Sequence, residues 1–424
     1  MRNESWHLLL SPLGIVLAGL ALLYMVPNGE GLQSIESIGG LSCVLWLAGC
    51  VVLTVLIQWM LLHSTPPANP WLFPCAMLLT SVGLVMLARL KLELFPAQLK
   101  WLFIGLVIFL VMLRMKTKIL RLTEYPYILG IGCVILLLLP LLFGTEIGGS
   151  RNWLLLGPIR VQPSEFGKIL LVLFLAAYLS SHRHVLSLPN KEWLFLRMPP
   201  FRFIAPLLTI WSASVLMFVV ARDLGSALLF FGIAVAMTYM ATGNRSYVAM
   251  AVVFFGAAAV FSYMAFGHVR VRFDIWLDPW QDPAGMAYQV VQSLFAFGAG
   301  GVWGTGFAHG HPDMIPEVHT DFIFSAIAEE FGLVGALMVM SIYALFFYEG
   351  IRVALTRKSA AHMLLSAGAA TVFFLQAFII IAGVSKFLPL TGITMPFVSY
   401  GGSSMVSSFL LLGIIISVSR GEAG

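Results

Sequence analysis

A chain of 424 residues that is 60% apolar, only 10% charged and has a mean hydropathy of +0.95 does not build a soluble globular domain, in which about 25% of residues are charged. It is an integral membrane protein with many spans. The net charge of +5 comes from basic residues placed between apolar segments. That pattern sets aside nucleic-acid binding and fits basic loops on the cytoplasmic side of a membrane.

A spanning helix needs about 20 apolar residues. Twelve stretches qualify: 7–26, 40–62, 72–90, 99–114, 126–143, 165–181, 203–220, 224–241, 247–266, 322–347, 362–384 and 403–419. The first has only Arg2 ahead of it and no small-residue cleavage pattern, so it reads as a span and not as a signal peptide. The segment 286–300 is short, moderately apolar and Gly-rich, and reads as re-entrant. The cysteines Cys43, Cys50, Cys75 and Cys133 all fall in spans, with no CxxC or Cys/His cluster, and read as ordinary core residues. The fold expected is therefore all-α and polytopic, with about twelve transmembrane helices.

Lys116, Lys118 and Arg121, then Arg183, Lys191, Arg197 and Arg202, then Arg245, then Arg352, Arg357 and Lys358 share one side. That side is expected to be the cytoplasm, with both termini inside. Arg89, Lys91 and Lys100 flank a turn on the other side, where long basic side chains can snorkel. Three polar stretches then share the outer face: 144–164, 267–321 and 385–402. The loop 267–321 is far longer than ordinary connections and rich in Trp and Gly, which favours an ordered, functional segment. No internal repeat supports an inverted-repeat transporter.

The densest chemistry lies in PEVHTDFIFSAIAEEFGLVG, residues 316–335. A polar loop delivers Glu317, His319, Thr320 and Asp321 to the mouth of an apolar helix, which carries Glu329 and Glu330 about two turns further in. Ionisable groups at membrane depth are costly and by default functional. With Thr320 as a plausible cap, Asp321 has two readings: a helix-starting Asp whose charge the helix dipole favours, or a general base whose pKa burial lifts toward working pH.

In HVRVRFD, residues 268–274, Arg270 and Arg272 alternate with apolar residues, as on an extended strand with both guanidinium groups on one side. Such a pair suits a diphosphate, and equally lipid headgroups. Gln162, Ser164, Glu165 and Lys168 stand at the start of a span, where Glu165 and Lys168 pair at i,i+3. Asp223 either pairs with Arg222 or reaches a central cavity. Gln289 and Gln292, with Ser293, offer hydrogen bonds to a sugar. Lys386 adds positive charge near the outer face. Ser399 and Ser403 flank Gly401 and Gly402 before the last span, where Ser403 can also cap the helix.

Together the motifs QPSEF (162–166), RDLGSA (222–227), VRVR (269–272), LDPWQDPAGMAYQVVQSL (277–294), GGVWGTG (300–306), PEVHTDFIFSAIAEEFGLVG (316–335) and LPLTGITMPFVSYGGSS (388–404) resemble the signatures of the SEDS proteins, the RodA, FtsW and SpoVE group. The resemblance covers roughly residues 145–420. It implies a peptidoglycan polymerase that joins the disaccharide-peptide units of lipid II at the outer face of the bacterial cytoplasmic membrane, beside a class B penicillin-binding protein. It implies Asp321 as the catalytic carboxylate and Arg270 and Arg272 as diphosphate contacts. Gln292, Ser293, Glu317, His319, Lys386, Ser399 and Ser403 are expected at the substrate. Gln162, Ser164, Glu165, Lys168, Asp223, Glu329 and Glu330 are expected as cavity or structural polar groups. A divalent metal, Mg or Mn, and no organic cofactor are expected. Family members have about ten spans, three of them before the GxxRW motif. Here five precede GGSRNW (148–153), which divides the chain into 1–97, holding two extra helices, and a core of 98–424. A flippase for a lipid-linked precursor and a non-enzymatic scaffold are the alternatives. The first draws on Arg222, Glu329 and Glu330, and the second needs no ionisable Asp321.

Overall fold

The computed structural model describes residues 40–147, 150–157, 159–187, 191–193, 196–198 and 200–421. The expected span 7–26 lies outside these residues. Ten helices among the described residues are long and apolar enough to cross a membrane. They are α1 (Gly40–Leu62), α2 (Leu72–Leu90), α3 (Phe95–Arg114), α5 (Pro126–Phe143), α6 (Pro163–Ser187), α8 (Leu224–Thr242), α9 (Arg245–Ala265), α12 (Ile323–Leu355), α13 (Ala360–Val384) and α14 (Gly402–Ser419). A short α4 (Lys116–Arg121) turns the chain between α3 and α5. The stretch 203–220 forms α7 (Phe201–Val219), which contains Pro206 and has a shorter apolar run than the ten. The segment 267–321 is ordered, as expected, and holds α10 (Gly267–Leu277) and α11 (Tyr288–Gly300). With 13 residues, α11 is too short to span a bilayer.

The most buried spans of the bundle are α2, α13 and α14. Apolar burial drives little association in lipid, so buried membrane helices rely on small residues that admit close packing. The run Ser366, Ala367, Gly368, Ala369, Ala370 and Thr371 in α13 is buried throughout, as are Ser403, Ser404, Ser407 and Ser408 in α14. By contrast α9 exposes Val252, Val253, Val260, Phe261 and Met264, as a lipid-facing helix should.

Two features place the site. A three-stranded antiparallel sheet, β1 (Thr145–Ile147), β2 (Ser150–Leu156) and β3 (Ile159–Val161), fills the stretch between α5 and α6, where the sequence reading foresaw polar chain without strands. It is pinned to the α7–α8 turn: Arg151 N donates to the Ala221 carbonyl (3.0 Å) and Ser150 Oγ to the Arg222 carbonyl (3.0 Å). A second small hairpin, β4 (Lys191–Trp193) with β5 (Leu196–Met198), lies between α6 and α7.

The other feature is a break in α12 at Gly332, which has φ 65° and ψ −164°. The freed backbone groups pair with the chain that follows α11. Thr305 N and Gly306 N donate to the Glu329 and Glu330 carbonyls (2.9 and 3.0 Å), while Leu333 N and Val334 N donate to the Gly301 and Val302 carbonyls (2.9 and 3.2 Å). A helix at membrane depth breaks only where neighbouring protein satisfies its backbone in this way. A Cβ on residue 332 would stand 2.3 Å from Gly304 N, so no other residue fits without a shift.

Candidate active site

Asp321 lies in the turn before α12. The helix begins at Ile323 with Phe322 at the N-cap and no side-chain capping bond, so neither Thr320 nor Asp321 serves as the cap the sequence suggested. Thr320 Oγ1 instead donates to the Glu317 carbonyl (2.9 Å) within a turn that puts Glu317 at φ 56°. The turn is held from the α13–α14 loop. Ser399 Oγ donates to the Thr320 carbonyl (2.6 Å) and accepts from Met395 N (2.8 Å), and Tyr400 N donates to the His319 carbonyl (2.9 Å). That loop is held in turn by Gln98 of α3, which accepts from Gly401 N (3.3 Å) and donates to the Ser399 carbonyl (3.4 Å). The Asp321 carboxyl rests above Gly392, where a Cβ would lie 3.5 Å from Oδ2.

Although Asp321 keeps some contact with solvent, the surrounding protein desolvates its carboxyl and pushes its pKa up from 3.8 to about 7. Glu317 and Asp223 add to the rise, while the Arg272 guanidinium opposes it. Burial has won over the lowering influences, which is the condition for a carboxylate base near neutral pH. His319 is buried, with Nε2 3.7 Å from Glu317 Oε2. Burial moves its pKa down, and Lys91 adds to that while Glu317 opposes it.

The two arginines do not sit on a strand. Residues 267–277 form α10, whose helical face is Val269, Phe273 and Trp276: Val269 is buried, Phe273 and Trp276 meet edge to face, and Trp276 Nε1 donates to the Lys386 carbonyl (3.2 Å). Apolar residues at 269, 271 and 273 mimic strand alternation, but spacing of three and four wins once a neighbouring element covers that stripe. Residues two apart on a helix diverge. Arg272 faces the site, between the charges of Asp223 and Asp321, and its Nη2 donates to the Arg222 carbonyl (3.1 Å). Arg270 turns toward α9, over the Tyr263 ring (5.6 Å) and onto the Met264 carbonyl (3.3 Å).

Asp223 takes neither expected role in full. It caps α8 by accepting from Ser226 N (2.9 Å) and Ser226 Oγ (2.8 Å), and it accepts from Asn152 Nδ2 of β2 (2.9 Å). Arg222 pairs with Glu146 (3.4 Å) instead. Deeper in the bundle, Lys168 and Glu165 form the expected pair at 2.6 Å. Gln376 Oε1 accepts from Lys168 Nζ (2.9 Å), Gln376 Nε2 donates to the Thr394 carbonyl (2.8 Å), and Ser407 Oγ donates to Glu165 (2.5 Å). Gln162 N donates to Ser403 Oγ (3.2 Å), so Ser403 is buried against α6 while Gly401 caps α14. Ser164 Oγ accepts from Ser226 Oγ (3.4 Å).

Glu329 and Glu330 are both buried. Glu330 pairs with Arg89 (3.2 Å), and Glu329 accepts from His311 N (2.7 Å), both beside the α12 break. Ser293 is buried, bonded to Ser325 Oγ (2.7 Å) and the Val384 carbonyl (2.8 Å). Gln292, next to it, is half-buried. Lys386 is half-buried in a turn at φ 62°. Among the described residues, no three His, Cys, Asp or Glu side chains gather to hold a metal ion. Sequence reasoning missed Gln98, Asn152, Ser226, Arg89, Gln376 and Ser407, all partners contributed from distant elements. Gln98 and Gln376 carried a signal, being lone amides inside apolar helices.

The fold and the site define a polytopic membrane protein with a recessed carboxylate at one end of its bundle. The chain matches the FtsW, RodA and SpoVE family model, described as a cell cycle protein, over residues 69–423, and belongs to that family. It is similar to the peptidoglycan glycosyltransferase RodA of Mycobacterium tuberculosis (37% identical over 369 residues, 84% of this chain and 79% of the relative). It is also similar to stage V sporulation protein E of Bacillus subtilis (30% identical, 81% of this chain and 94% of the relative). A solved structure described as a peptidoglycan synthase complex that coordinates polymerization and crosslinking aligns with TM-score 0.65 at 25% identity, over 83% of this chain and 98% of that one. RodA of Thermus thermophilus shares the fold at TM-score 0.60 and 24% identity, over 83% and 97%.

Proposed function

We propose that the chain is a peptidoglycan glycosyltransferase that polymerises lipid II, with the site end of its bundle on the outer face of the bacterial cytoplasmic membrane and both termini in the cytoplasm. Kinship supports the class of activity, since relatives that align over most of this chain are named for it. The observation that carries the chemistry is the Asp321 carboxyl, recessed above Gly392, raised to a pKa of about 7 and faced by Arg272.

Asp321, ionised, accepts the proton of the acceptor's 4-hydroxyl. The oxygen attacks the anomeric carbon of the donor sugar from the face opposite the diphosphate, a β-1,4 bond forms, and the carbon–oxygen bond to undecaprenyl diphosphate breaks with its electron pair on the leaving group. Arg272 is the cation placed to offset that charge. Lys386, Glu317, His319 and Gln292 are the further groups proposed to meet substrate, while Arg270 is turned away over the Tyr263 ring. The geometry favours positioning roles for Ser293, Ser399, Ser403 and Asp223, whose polar groups are committed to other protein groups. Gln162, Ser164, Glu165, Lys168, Glu329 and Glu330 support the site from within the bundle. Dependence on Mg or Mn is a separate proposal, tested by chelation and re-addition, and no step above runs through an ion.

The partner proposed is a class B penicillin-binding protein, because one structural relative is described as a complex for polymerization and crosslinking. The spans before residue 69, α1 and 7–26, are proposed as additions to the family core. The experiment supplies lipid II to the purified protein in liposomes, alone and with that partner. Polymerisation predicts glycan strands and released polyprenyl diphosphate. Intact lipid II moved between leaflets without polymer would support transport, and neither outcome would support a scaffold.

A further inference from the structure

Arg222 holds a left-handed backbone at φ 57°. Ordinary side chains avoid that conformation, and where it persists it clusters at functional sites. The Arg222 side chain gives no reason for it. The guanidinium is half exposed and reaches Glu146 at 3.4 Å, a solvent-facing pair of little consequence. The main chain does give one. Two donors from distant elements converge on the Arg222 carbonyl: Ser150 Oγ of β2 at 3.0 Å and Arg272 Nη2 of α10 at 3.1 Å. One residue earlier the Ala221 carbonyl accepts from Arg151 N (3.0 Å), and one residue later Asp223 caps α8. The turn is therefore fixed on both sides of an acceptor that holds one corner of the Arg272 guanidinium. Because that group is a rigid planar fork of donors, fixing one corner sets the direction of the rest. The helix that carries it is fixed separately, by Trp276 Nε1 on the Lys386 carbonyl (3.2 Å). The same turn also adjoins the floor of the site. A Cβ at Gly225 would lie 2.7 Å from the Thr391 carbonyl, and the next residue of that loop, Gly392, lies beneath Asp321.

Resting on the polymerase reading, we propose that Arg222 is a positioning residue that acts through its backbone: its left-handed turn presents the carbonyl that aims the Arg272 guanidinium at the diphosphate of the lipid-linked substrate. The side chain at 222 then matters only through the backbone it allows. Glycine takes a positive φ at no steric cost, asparagine tolerates it, and β-branched valine is driven out of it. Function at this position follows conformation and not charge. Glycine, asparagine and valine all lack the guanidinium, yet the first two are expected to hold Arg272 in place and the third to release it.

The test titrates farnesyl diphosphate into the full-length protein in nanodiscs and follows lipid II polymerisation in parallel. Arg222→Gly and Arg222→Asn are expected to bind the probe roughly tenfold more tightly than Arg222→Val, the contribution of one charge-assisted contact. Polymerisation rates should fall in the same order. In an Arg272→Ala background the three substitutions should bind the probe alike, because the turn then has nothing to aim. Equal affinity in the three folded variants overturns the proposal: a common loss would give the role to the guanidinium, and no loss would leave position 222 without one. A valine deficit of unchanged size in the Arg272→Ala background also overturns it. Should Arg222→Val fail to fold, Ser150→Ala takes its place, since it removes the other donor from the same carbonyl. Weaker probe binding that disappears in the Arg272→Ala background is then expected, and undiminished binding overturns the proposal. Polymer from the wild type, with equal probe binding by the Gly and Val variants, sinks only the role of Arg222. Neither polymer nor probe binding by the wild type sinks the polymerase reading as well.

Discussion

Ser399 Oγ donates to the Thr320 carbonyl at 2.6 Å, tying the loop before α14 to the residue that precedes Asp321. Because Ser399 also accepts from Met395 N, one hydroxyl fixes the loop and the Asp321 turn together. Ser399→Ala should cost about 1 kcal/mol of stability, the usual net worth of a buried hydrogen bond. It should lower kcat by roughly tenfold or more through misplacement of the carboxylate, with KM for lipid II little changed. Initial rates across lipid II concentrations measure the split, and a rise in KM at constant kcat would return Ser399 to a substrate contact.

Polymerisation should fall as pH drops through about 7, since only the ionised Asp321 accepts a proton. Stability should respond in the opposite sense. A carboxyl raised from 3.8 to about 7 holds its proton more tightly in the folded protein, so its contribution is complete below about pH 4 and is lost as pH rises through about 7. Asp321→Asn, neutral throughout, should raise Tm at about pH 8 and leave it unchanged at about pH 4. Thermal melts of the two proteins at both values check the sign.

Gly392→Ala tests the floor of the site. Residue 392 has φ 66°, where a side chain costs about 1–2 kcal/mol, and its Cβ would lie 3.5 Å from Asp321 Oδ2. We expect a folded protein with Tm lowered by a few degrees and polymer synthesis reduced by more than that loss explains. A rate equal to wild type would mean that a methyl group 3.5 Å from Oδ2 leaves the carboxyl undisturbed.

The pair Lys168–Glu165 is buried, with Gln376 and Ser407 as its other partners. Lys168→Met should destabilise by about 3–5 kcal/mol, because it leaves an uncompensated buried carboxylate. The double variant Lys168→Met, Glu165→Gln should recover much of that loss. Detergent melts of the single and double variants give the coupling.

Much of this could be read from the sequence. Hydropathy alone located the ten spans among the described residues, because lipid leaves the backbone few ways to cross it. The i,i+3 pair of Glu165 and Lys168 was likewise legible, being local. What failed was placement that depends on tertiary partners. Arg270 and Arg272 alternate like strand residues, yet α10 turns them apart once Trp276 docks on the Lys386 carbonyl. Glu329 and Glu330 were expected as cavity or structural polar groups, but their partners, Arg89 and His311 N, are distant in sequence and carried no local signal. Gln98 carries no motif, and its hold on Ser399 and Gly401 spans some three hundred residues.

The most direct measurement is glycan synthesis from lipid II by the purified protein and by Asp321→Asn, both in liposomes at about pH 8, where the wild-type carboxyl is ionised. The account predicts long strands from the wild type and none from the folded variant. Strands from Asp321→Asn at a comparable rate would contradict it, and the base would have to be sought elsewhere.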